Sequence, residues 1–404
     1  MLTEAQKTLV KNTVPVLREH GIELTSYFYK RMLNNNAELK QIFNRGHQEA
    51  GKQQHALATA VLAYAENIDN PTILENAFIH IANKHVSLNI RAEHYPIVGE
   101  HLLASISEVL GEAATDDLIE AWGAAYQQLA QLLIDIELGI YKEQIREHAW
   151  TGWRGFKIVK KIPESEQITS FYLQPVDGGK LPEFYPGQYV SVRIYVPEWN
   201  LIQPRQYTLS DSPGKDTLRI TVKREDGKGK TPAGKVSNLL HKSYDVGDII
   251  DLSAPAGEFY LNQQGKNPII LMSAGVGITP MYSMLSFLHE KQSNRSVHFI
   301  HGTHNGKQHA LREKVNEIVE KSPTFNRFIF YSKPDGEDRQ GIDYDYQGRM
   351  DINRIDQSIF DKDADYYLCG PVEFMKDEGK KLKEKGIPPE KIHVEAFGTG
   401  AFSI

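Results

Sequence analysis

The chain has 404 residues, of which 40% are hydrophobic and 24% charged, with a net charge of −6. That length is too great for one ordinary core and predicts two or three domains, with the composition of a soluble globular protein. The charge is spread along the chain without a basic block, which argues against nucleic acid as a partner, and the single cysteine, Cys369, excludes an intrachain disulfide framework.

The N-terminus, MLTEAQKTLV, has no apolar core of signal-peptide length. No apolar run approaches the roughly 20 residues that span a bilayer. One cysteine is also typical of a reducing compartment. We therefore expect a cytoplasmic protein without a membrane span, and we take it to be a monomer.

The pattern of apolar residues changes twice along the chain. Residues 3–147 place them at intervals of three and four, as in ATDDLIEAWGAAYQQLAQLL, which predicts an all-α domain. Short β-branched and aromatic runs such as QYVSVRIYV then predict an antiparallel barrel or sandwich. Buried-strand candidates such as PIILMSA, with helical text between several of them, predict a parallel α/β sheet. The predicted domains are residues 1–148, 149–265 and 266–404.

One histidine in the helical domain stands out by its surroundings. His85 ends a helical run, and Tyr95, Pro96 and Gly99 follow as a loop and a new helix require. The stretch KHVSLNIRAEHYPIVGEHLL resembles the haem-binding region of flavohaemoglobins, and the rest of the chain is similar to that family over its full length. The resemblance implies a globin domain that binds haem b, fused to a ferredoxin-reductase-like module that binds FAD and NADPH or NADH.

The resemblance implies roles on both sides of the haem. His85 would ligate the iron, Tyr95 and Glu137 would orient its imidazole, and Lys84 would lie in the haem pocket, while His94 and His101 are bystanders. On the opposite side Tyr29 would donate a hydrogen bond to iron-bound dioxygen, with Phe43 wedging the haem. Gln53 and Leu57, one helical turn apart, would line the pocket, although a one-residue shift would replace Gln53 by Gln54.

The string RQYT lies between strand candidates and matches the flavin motif of the family. Arg205 would pair with the FAD pyrophosphate, and Gln206, Tyr207 and Thr208 would contact the flavin, with Tyr189 beside it. Ser237 opens a helical run, where it is either a phosphate contact or a simple cap. In the C-terminal tail, Phe397 would cover the flavin until nicotinamide displaces it, and Gly398 beside it would also belong to the FAD site.

The third domain carries SAGVGITP directly after a strand. Its glycines let the backbone approach a pyrophosphate, and proline suits the first turn of the helix that follows. The NAD(P) residues are then Gly275, Val276, Gly277, Ile278, Thr279 and Pro280. Cys369 and Gly370 would lie beside the nicotinamide, although Cys369 is also a plausible buried hydrophobe. Lys307 and Arg312, without an acidic residue in position to hold a ribose hydroxyl, weakly favour NADPH.

Family resemblance also implies the activity. Electrons would pass from NAD(P)H through FAD to haem, where dioxygen reacts with nitric oxide to give nitrate, so the small-molecule partners are O2, nitric oxide and NAD(P)H. Nothing in spacing or composition identifies nitric oxide. Two alternatives stay open: a redox-linked oxygen-binding or sensing haemoprotein, and a reductase of ferric iron, quinone or lipid hydroperoxide.

Overall fold

The computed structural model describes residues 2–148, 150–227, 229 and 231–398. Within these ranges, no helix is long and apolar enough to cross a membrane. The first region is all-α, as the three- and four-residue spacing predicts. Its helices are α1 (Glu4–Asn12), α2 (Val14–Asn35), α3 (Arg45–Glu49), α4 (Lys52–Glu66), α5 (Glu75–Ser87), α6 (His94–Leu110) and α7 (Asp116–His148).

The helices pack closely where small residues permit it. A Cβ on Gly99 of α6 would come within 2.5 Å of the Tyr126 ring of α7, so glycine lets that ring lie against α6. The Tyr126 hydroxyl donates to the carbonyl of Tyr95 over 2.6 Å. This contact anchors the start of α6 and with it the position of Tyr95.

The second region is an antiparallel sheet in the order β4-β3-β6-β1-β2-β5. A bridge between Leu209 and Ile220 joins its two edges, so the sheet curls around an apolar core. One helix, α8 (Lys235–Ser243), packs beside it. The strands are β1 (Trp153–Pro163), β2 (Ile168–Pro175), β3 (Tyr189–Val196), β4 (Leu201–Thr208), β5 (Leu218–Lys223) and β6 (Ile249–Ser253).

The position of the RQYT string differs from the sequence prediction. Arg205–Thr208 lie inside strand β4 and not between strands. Pro204 breaks the sequence pattern of a strand, because proline cannot donate to a ladder. It is tolerated here because β4 is the first strand in the spatial order of the sheet, where one side needs no donor.

The third region is a parallel sheet in the order β10-β9-β8-β7-β11-β12. The strand order reverses beside β7, and the crevice at such a point is where α/β sheets bind nucleotides. The strands are β7 (Ile269–Ala274), β8 (Val297–Thr303), β9 (Phe325–Tyr331), β10 (Tyr346–Gln347), β11 (Asp365–Cys369) and β12 (Ile392–Glu395); the helices are α9 (Ile278–Glu290), α10 (Arg312–Lys321) and α11 (Val372–Glu384).

Helix α5 joins all three regions. Asn83 Oδ1 accepts from the backbone N–H of Gly257 over 3.0 Å, and Ser191 Oγ donates to Ser87 Oγ over 3.0 Å. Lys84 Nζ donates to the carbonyl of Gly398 over 2.8 Å. The helix that carries His85 therefore contacts both parts of the reductase half.

Candidate functional site

Three helices bring side chains together around His85. Its Nδ1 lies 2.7 Å from Oε1 of Glu137 on α7, and the Tyr95 hydroxyl donates to the same oxygen over 2.5 Å. The Tyr95 hydroxyl also lies 3.2 Å from Nδ1. Burial, together with the neighbouring Glu137, raises the pKa of Tyr95 and keeps it protonated. Because a carboxylate accepts only, Nδ1 carries the imidazole proton.

This arrangement leaves the other nitrogen of His85 free. Its Nε2 has no hydrogen-bond partner within the described ranges, so a lone pair is available to a metal. No three His, Cys, Asp or Glu side chains of the described residues could hold a metal by themselves. One oriented imidazole is the protein ligand that a porphyrin-held iron requires, so the site fits haem.

Tyr29 and Phe43 pack together in the globin core. Their rings meet edge to face with centroids 5.6 Å apart. Tyr29 is 9% exposed, and its hydroxyl has no hydrogen-bond partner in the described part of the chain. Burial raises the pKa of this phenol, so it remains a donor. A buried donor without an acceptor fits a pocket that receives a polar ligand.

The two glutamines of α4 converge on one neighbour. Gln48 Nε2 donates to Gln53 Oε1, and Gln54 Nε2 donates to Gln48 Oε1 over 3.1 Å. Gln54 Oε1 is buried and has no partner among the described residues. Leu57 packs against the globin core. Gln54 lines the cavity beside Tyr29 and Phe43, whereas Gln53 and Leu57 are not among its lining residues, so the structure favours Gln54 as the polar group there.

His101 has a structural role that the sequence does not suggest. It is 4% exposed, with Nδ1 2.5 Å from Arg31 NH1 and Nε2 2.7 Å from the Asn36 side chain. These contacts tie α6 to α2, the helix that carries Tyr29. His94 instead accepts from the backbone N–H of Arg91 over 2.9 Å at the start of α6.

Arg205 is a half-buried cation without a counter-anion among the described residues. Burial lowers its pKa to about 10, and no carboxylate of the described residues lies within ion-pair distance. Its guanidinium donates to the carbonyl of Pro204 over 2.6 Å. A planar guanidinium without a carboxylate partner fits a phosphate group, and the pyrophosphate is the part of FAD that an arginine of this motif would hold.

His47 is a further member of this positive region that sequence reasoning missed. Burial, with smaller contributions from the charges of Arg205, Lys84 and Lys52, lowers its pKa to about 4. The imidazole is therefore neutral at pH 7, among three cations. Such a concentration of positive charge between the globin and barrel regions fits anionic cofactor groups.

The other proposed flavin residues lie near the same junction. Tyr189 and Tyr207 are partly buried, and Thr208 is 6% exposed. Gln206 Nε2 donates to Ser191 Oγ over 3.1 Å, which places it next to Ser87 of α5. Phe397 is 49% exposed at the end of the described chain.

Ser237 does not begin its helix. Gly234 is the N-cap of α8, and the Ser237 hydroxyl donates to the Gly234 carbonyl over 3.2 Å. It also accepts from the backbone N–H of Glu225 over 3.2 Å. These bonds support a structural role for this serine, although they leave the phosphate role untested.

The glycine loop after β7 has two different uses for glycine. Gly275 has φ +56, and no atom lies within 4 Å of the position that a Cβ would take there, which leaves room for a ligand beside the backbone. A Cβ on Gly277 would overlap the Cys369 carbonyl. Gly277 is therefore needed for close packing of this loop against the end of β11. Val276 and Gly370 are half-buried beside this loop, whereas Ile278, Thr279 and Pro280 are buried at the start of α9, so a direct contact of those three side chains with the nucleotide stays a prediction.

Cys369 is fully buried, and burial raises the pKa of its thiol well above the usual value. The thiol therefore stays protonated and is a poor nucleophile. This supports the interpretation of Cys369 as a buried hydrophobe that supports the loop.

The basic residues that favour NADPH are already paired. Lys307 Nζ lies 3.0 Å from Asp335, and Arg312 lies 2.8 Å from Glu313 and 3.5 Å from Asp343. These carboxylates offset the charge that a 2′-phosphate would need. The sequence argument for NADPH is correspondingly weakened.

Gln203 is a docking residue that no sequence pattern singles out. It is fully buried on β4, where Nε2 donates to the Lys40 carbonyl over 3.0 Å and Oε1 accepts from the Arg45 N–H over 2.9 Å. Both partners belong to the globin region. A buried glutamine that satisfies backbone groups of another domain fixes how the two domains meet.

Comparison with protein families agrees with this three-part architecture. The globin family model matches residues 26–133, the oxidoreductase FAD-binding domain matches residues 156–260, and the oxidoreductase NAD-binding domain matches residues 271–380. The predicted fold classes of the three regions are thereby confirmed.

Relatives match the chain over its full length. The chain is 53% identical over 402 residues to a flavohemoprotein of Bordetella pertussis, with 99% of each chain covered. It is 50% identical over 404 residues to a flavohemoprotein of Rhizobium meliloti, with 100% of each covered.

Solved structures extend the comparison to bound cofactors. A flavohemoglobin from Malassezia yamatoensis with bound FAD and heme superposes with a TM-score of 0.86 at 28% identity, covering 98% of this chain and 100% of that one. The FAD/NAD-binding domain of a nitric oxide dioxygenase from Vibrio cholerae matches with a TM-score of 0.56 at 32% identity, covering 61% of this chain and 99% of that one.

Proposed function

The chain belongs to the flavohemoprotein family, and from that premise we propose that it is a nitric oxide dioxygenase that oxidises NAD(P)H and converts nitric oxide and dioxygen to nitrate. The full-length relation to flavohemoproteins at 53% identity carries the proposal. The Vibrio cholerae relative of the reductase half is a nitric oxide dioxygenase. Bound haem supplies the iron that binds dioxygen, and bound FAD accepts two electrons from NAD(P)H and releases them singly.

In the globin region, His85 has a fixed tautomer. Glu137 accepts the Nδ1 proton over 2.7 Å, which leaves Nε2 as the nitrogen that would ligate haem iron. The same bond increases the basicity of the imidazole, which would favour the higher oxidation state of the iron. Tyr95 shares the Glu137 oxygen and stops the carboxylate from rotating away.

Tyr29 would supply a hydrogen-bond donor to a polar ligand of the haem. Its phenol stays protonated because burial raises its pKa, and no described residue competes for the hydrogen bond. The Tyr29 hydroxyl would therefore donate its hydrogen bond only to a ligand in the pocket, and this donor would favour a ligand that carries negative charge. Phe43 supplies apolar surface beside the Tyr29 ring, and Leu57 packs against the globin core.

In the reductase half, Arg205 would hold the pyrophosphate of FAD, and the β7–α9 loop would hold that of NAD(P)H. Gly277 packs this loop against the end of β11. Helix α5, which carries His85, also contacts the reductase half at Gly257 and Gly398.

The test is the yield of nitrate per NAD(P)H in the presence of nitric oxide and dioxygen. Each NAD(P)H supplies two electrons and each nitrate requires one, so two nitrate ions should form per NAD(P)H. Oxidation of NAD(P)H without nitrate, or with ferric iron, a quinone or a lipid hydroperoxide as the better acceptor, would contradict the proposal. A protein whose haem state changes without turnover would instead support the sensing alternative.

A further inference from the structure

A cavity of 420 Å³ lies beside Tyr29, away from His85. Side chains of α2 form one wall, and the segment from Lys40 to Gln54 forms the other, with Leu201 of β4 at the edge. Tyr29 and Phe43 belong to its lining. The cavity therefore connects the proposed oxygen site with the join between the globin and barrel regions.

The charged groups of the cavity all have one sign. Lys30, Lys40 and Arg45 line it, and none of its lining residues in the described chain is Asp or Glu. Arg45 is paired with Glu49 at 2.9 Å, but no carboxylate of the described residues lies within ion-pair distance of Lys30 or Lys40. Two cations are thus uncompensated, in a chain whose net charge is −6.

The inner end of the cavity offers a hydrogen-bond donor. The Tyr29 side chain is 9% exposed and lines the cavity, and its hydroxyl has no partner among the residues that the structure describes. Leu33, Phe43 and Leu201 give the walls an apolar component. The cavity thus combines the Tyr29 donor, apolar walls and two lysines near solvent. This combination suits a small, weakly hydrated anion better than a neutral gas, because a neutral gas gains nothing from the lysines.

We propose that this cavity is the exit route for the oxyanion product, and that Lys30 and Lys40 draw the anion from the oxygen site to solvent. The inference rests on the proposed function, since nitrate is the product of that reaction. The substrates, nitric oxide and dioxygen, are uncharged, so the lysines act on the product alone. They also keep the released anion from remaining beside Tyr29.

The route can be tested with anions that bind the ferric haem, without turnover. The probe is azide, added to the full-length ferric protein with haem and FAD bound, and its association rate is followed in the Soret band. Each lysine should change that rate about two- to threefold, from Coulomb interaction over about 10 Å at a largely aqueous dielectric constant. The double variant Lys30→Met/Lys40→Met should therefore bind azide about four- to tenfold more slowly at low salt.

Several controls separate local charge from other effects. The rates of parent and double variant should converge near 1 M salt, because screening is then complete within about 3 Å. Lys30→Arg/Lys40→Arg, which keeps both charges, should behave like the parent. Lys142→Met removes one charge from an exposed site on α7 and should leave the azide rate nearly unchanged. Carbon monoxide, a neutral ligand of the ferrous haem, should bind all variants equally fast.

An unchanged azide rate in the double methionine variant would overturn the proposal. So would an equal loss for Lys142→Met, which would assign the effect to net charge, or a parallel loss for carbon monoxide, which would assign it to a change of shape. Nitrate should compete with azide more strongly in the parent than in the double variant, and equal competition would also count against the route. None of these measurements uses nitric oxide or NAD(P)H, so their outcome is independent of the nitrate yield that tests the proposed function.

Discussion

Replacing Glu137 by glutamine tests how the protein sets the electron affinity of the haem. The carboxylate is 2% exposed and accepts from His85 Nδ1 over 2.7 Å. Glutamine has nearly the same shape and can still accept through its amide oxygen, but it carries no charge. The negative charge of Glu137 favours ferric over ferrous iron through the imidazole, so Glu137→Gln should raise the reduction potential.

The size of the shift follows from the hydrogen bond. Bonds to charged groups contribute about 1.5–3 kcal/mol and neutral ones about 0.5–1.5 kcal/mol, so losing the charge removes about 1–1.5 kcal/mol. For a one-electron couple, 59 mV corresponds to about 1.4 kcal/mol, which places the ceiling of the shift at about 40–65 mV. Tyr95 already engages the same oxygen over 2.5 Å, and this sharing keeps the shift below the ceiling.

Spectroelectrochemical titration of the Soret band measures this potential directly. Tyr95→Phe is the matched control, because it leaves the bond between His85 and Glu137 in place and should shift the potential less. The flavin potential should not move in either variant. If Glu137→Gln retains haem with an unchanged or lower potential, the carboxylate does not act on the iron through His85, and the reasoning fails.

Three further predictions concern other parts of the site. Tyr29→Phe should lower oxygen affinity roughly ten- to a hundredfold, because a charge-assisted hydrogen bond of about 1.5–3 kcal/mol is lost. Stopped-flow measurements should show this mainly as faster oxygen dissociation. Carbon monoxide carries less charge when bound, so its affinity should change less. His85→Ala should abolish haem ligation and nitric oxide consumption but keep NAD(P)H-dependent dye reduction. Arg205→Ala should lose FAD and keep haem. Absorption spectra that show both cofactors missing from both variants would contradict the separation of the two sites. Asp335→Asn should free the charge of Lys307 and raise the ratio of kcat/KM for NADPH to that for NADH several-fold, and an unchanged ratio would show that this ion pair does not affect nucleotide choice.

Sequence periodicity determined the architecture. The first region has apolar residues every three or four positions, and the second has β-branched runs. Both patterns predict single helices and strands, because the geometry of one element depends on residues close together in the chain. The prediction failed at β4 because Pro204 disrupts the local pattern, and only the position of the strand in the sheet makes proline acceptable there. His85 could be named as the haem ligand from the sequence, because it and Tyr95 lie in one continuous stretch that resembles the family motif.

Contacts between distant segments were decided by the tertiary structure. Glu137 could be named from the resemblance, but its shared bond with His85 and Tyr95 exists only because α5, α6 and α7 converge. Gln203 has no distinguishing sequence pattern, and its role depends on the globin backbone that it meets. Lys30 and Lys307 are the same residue type, but Lys30 has no ion-pair partner among the described residues, whereas Lys307 is paired with Asp335. A side chain's charge is local information, whereas its counter-ions are set by which loops the fold brings beside it.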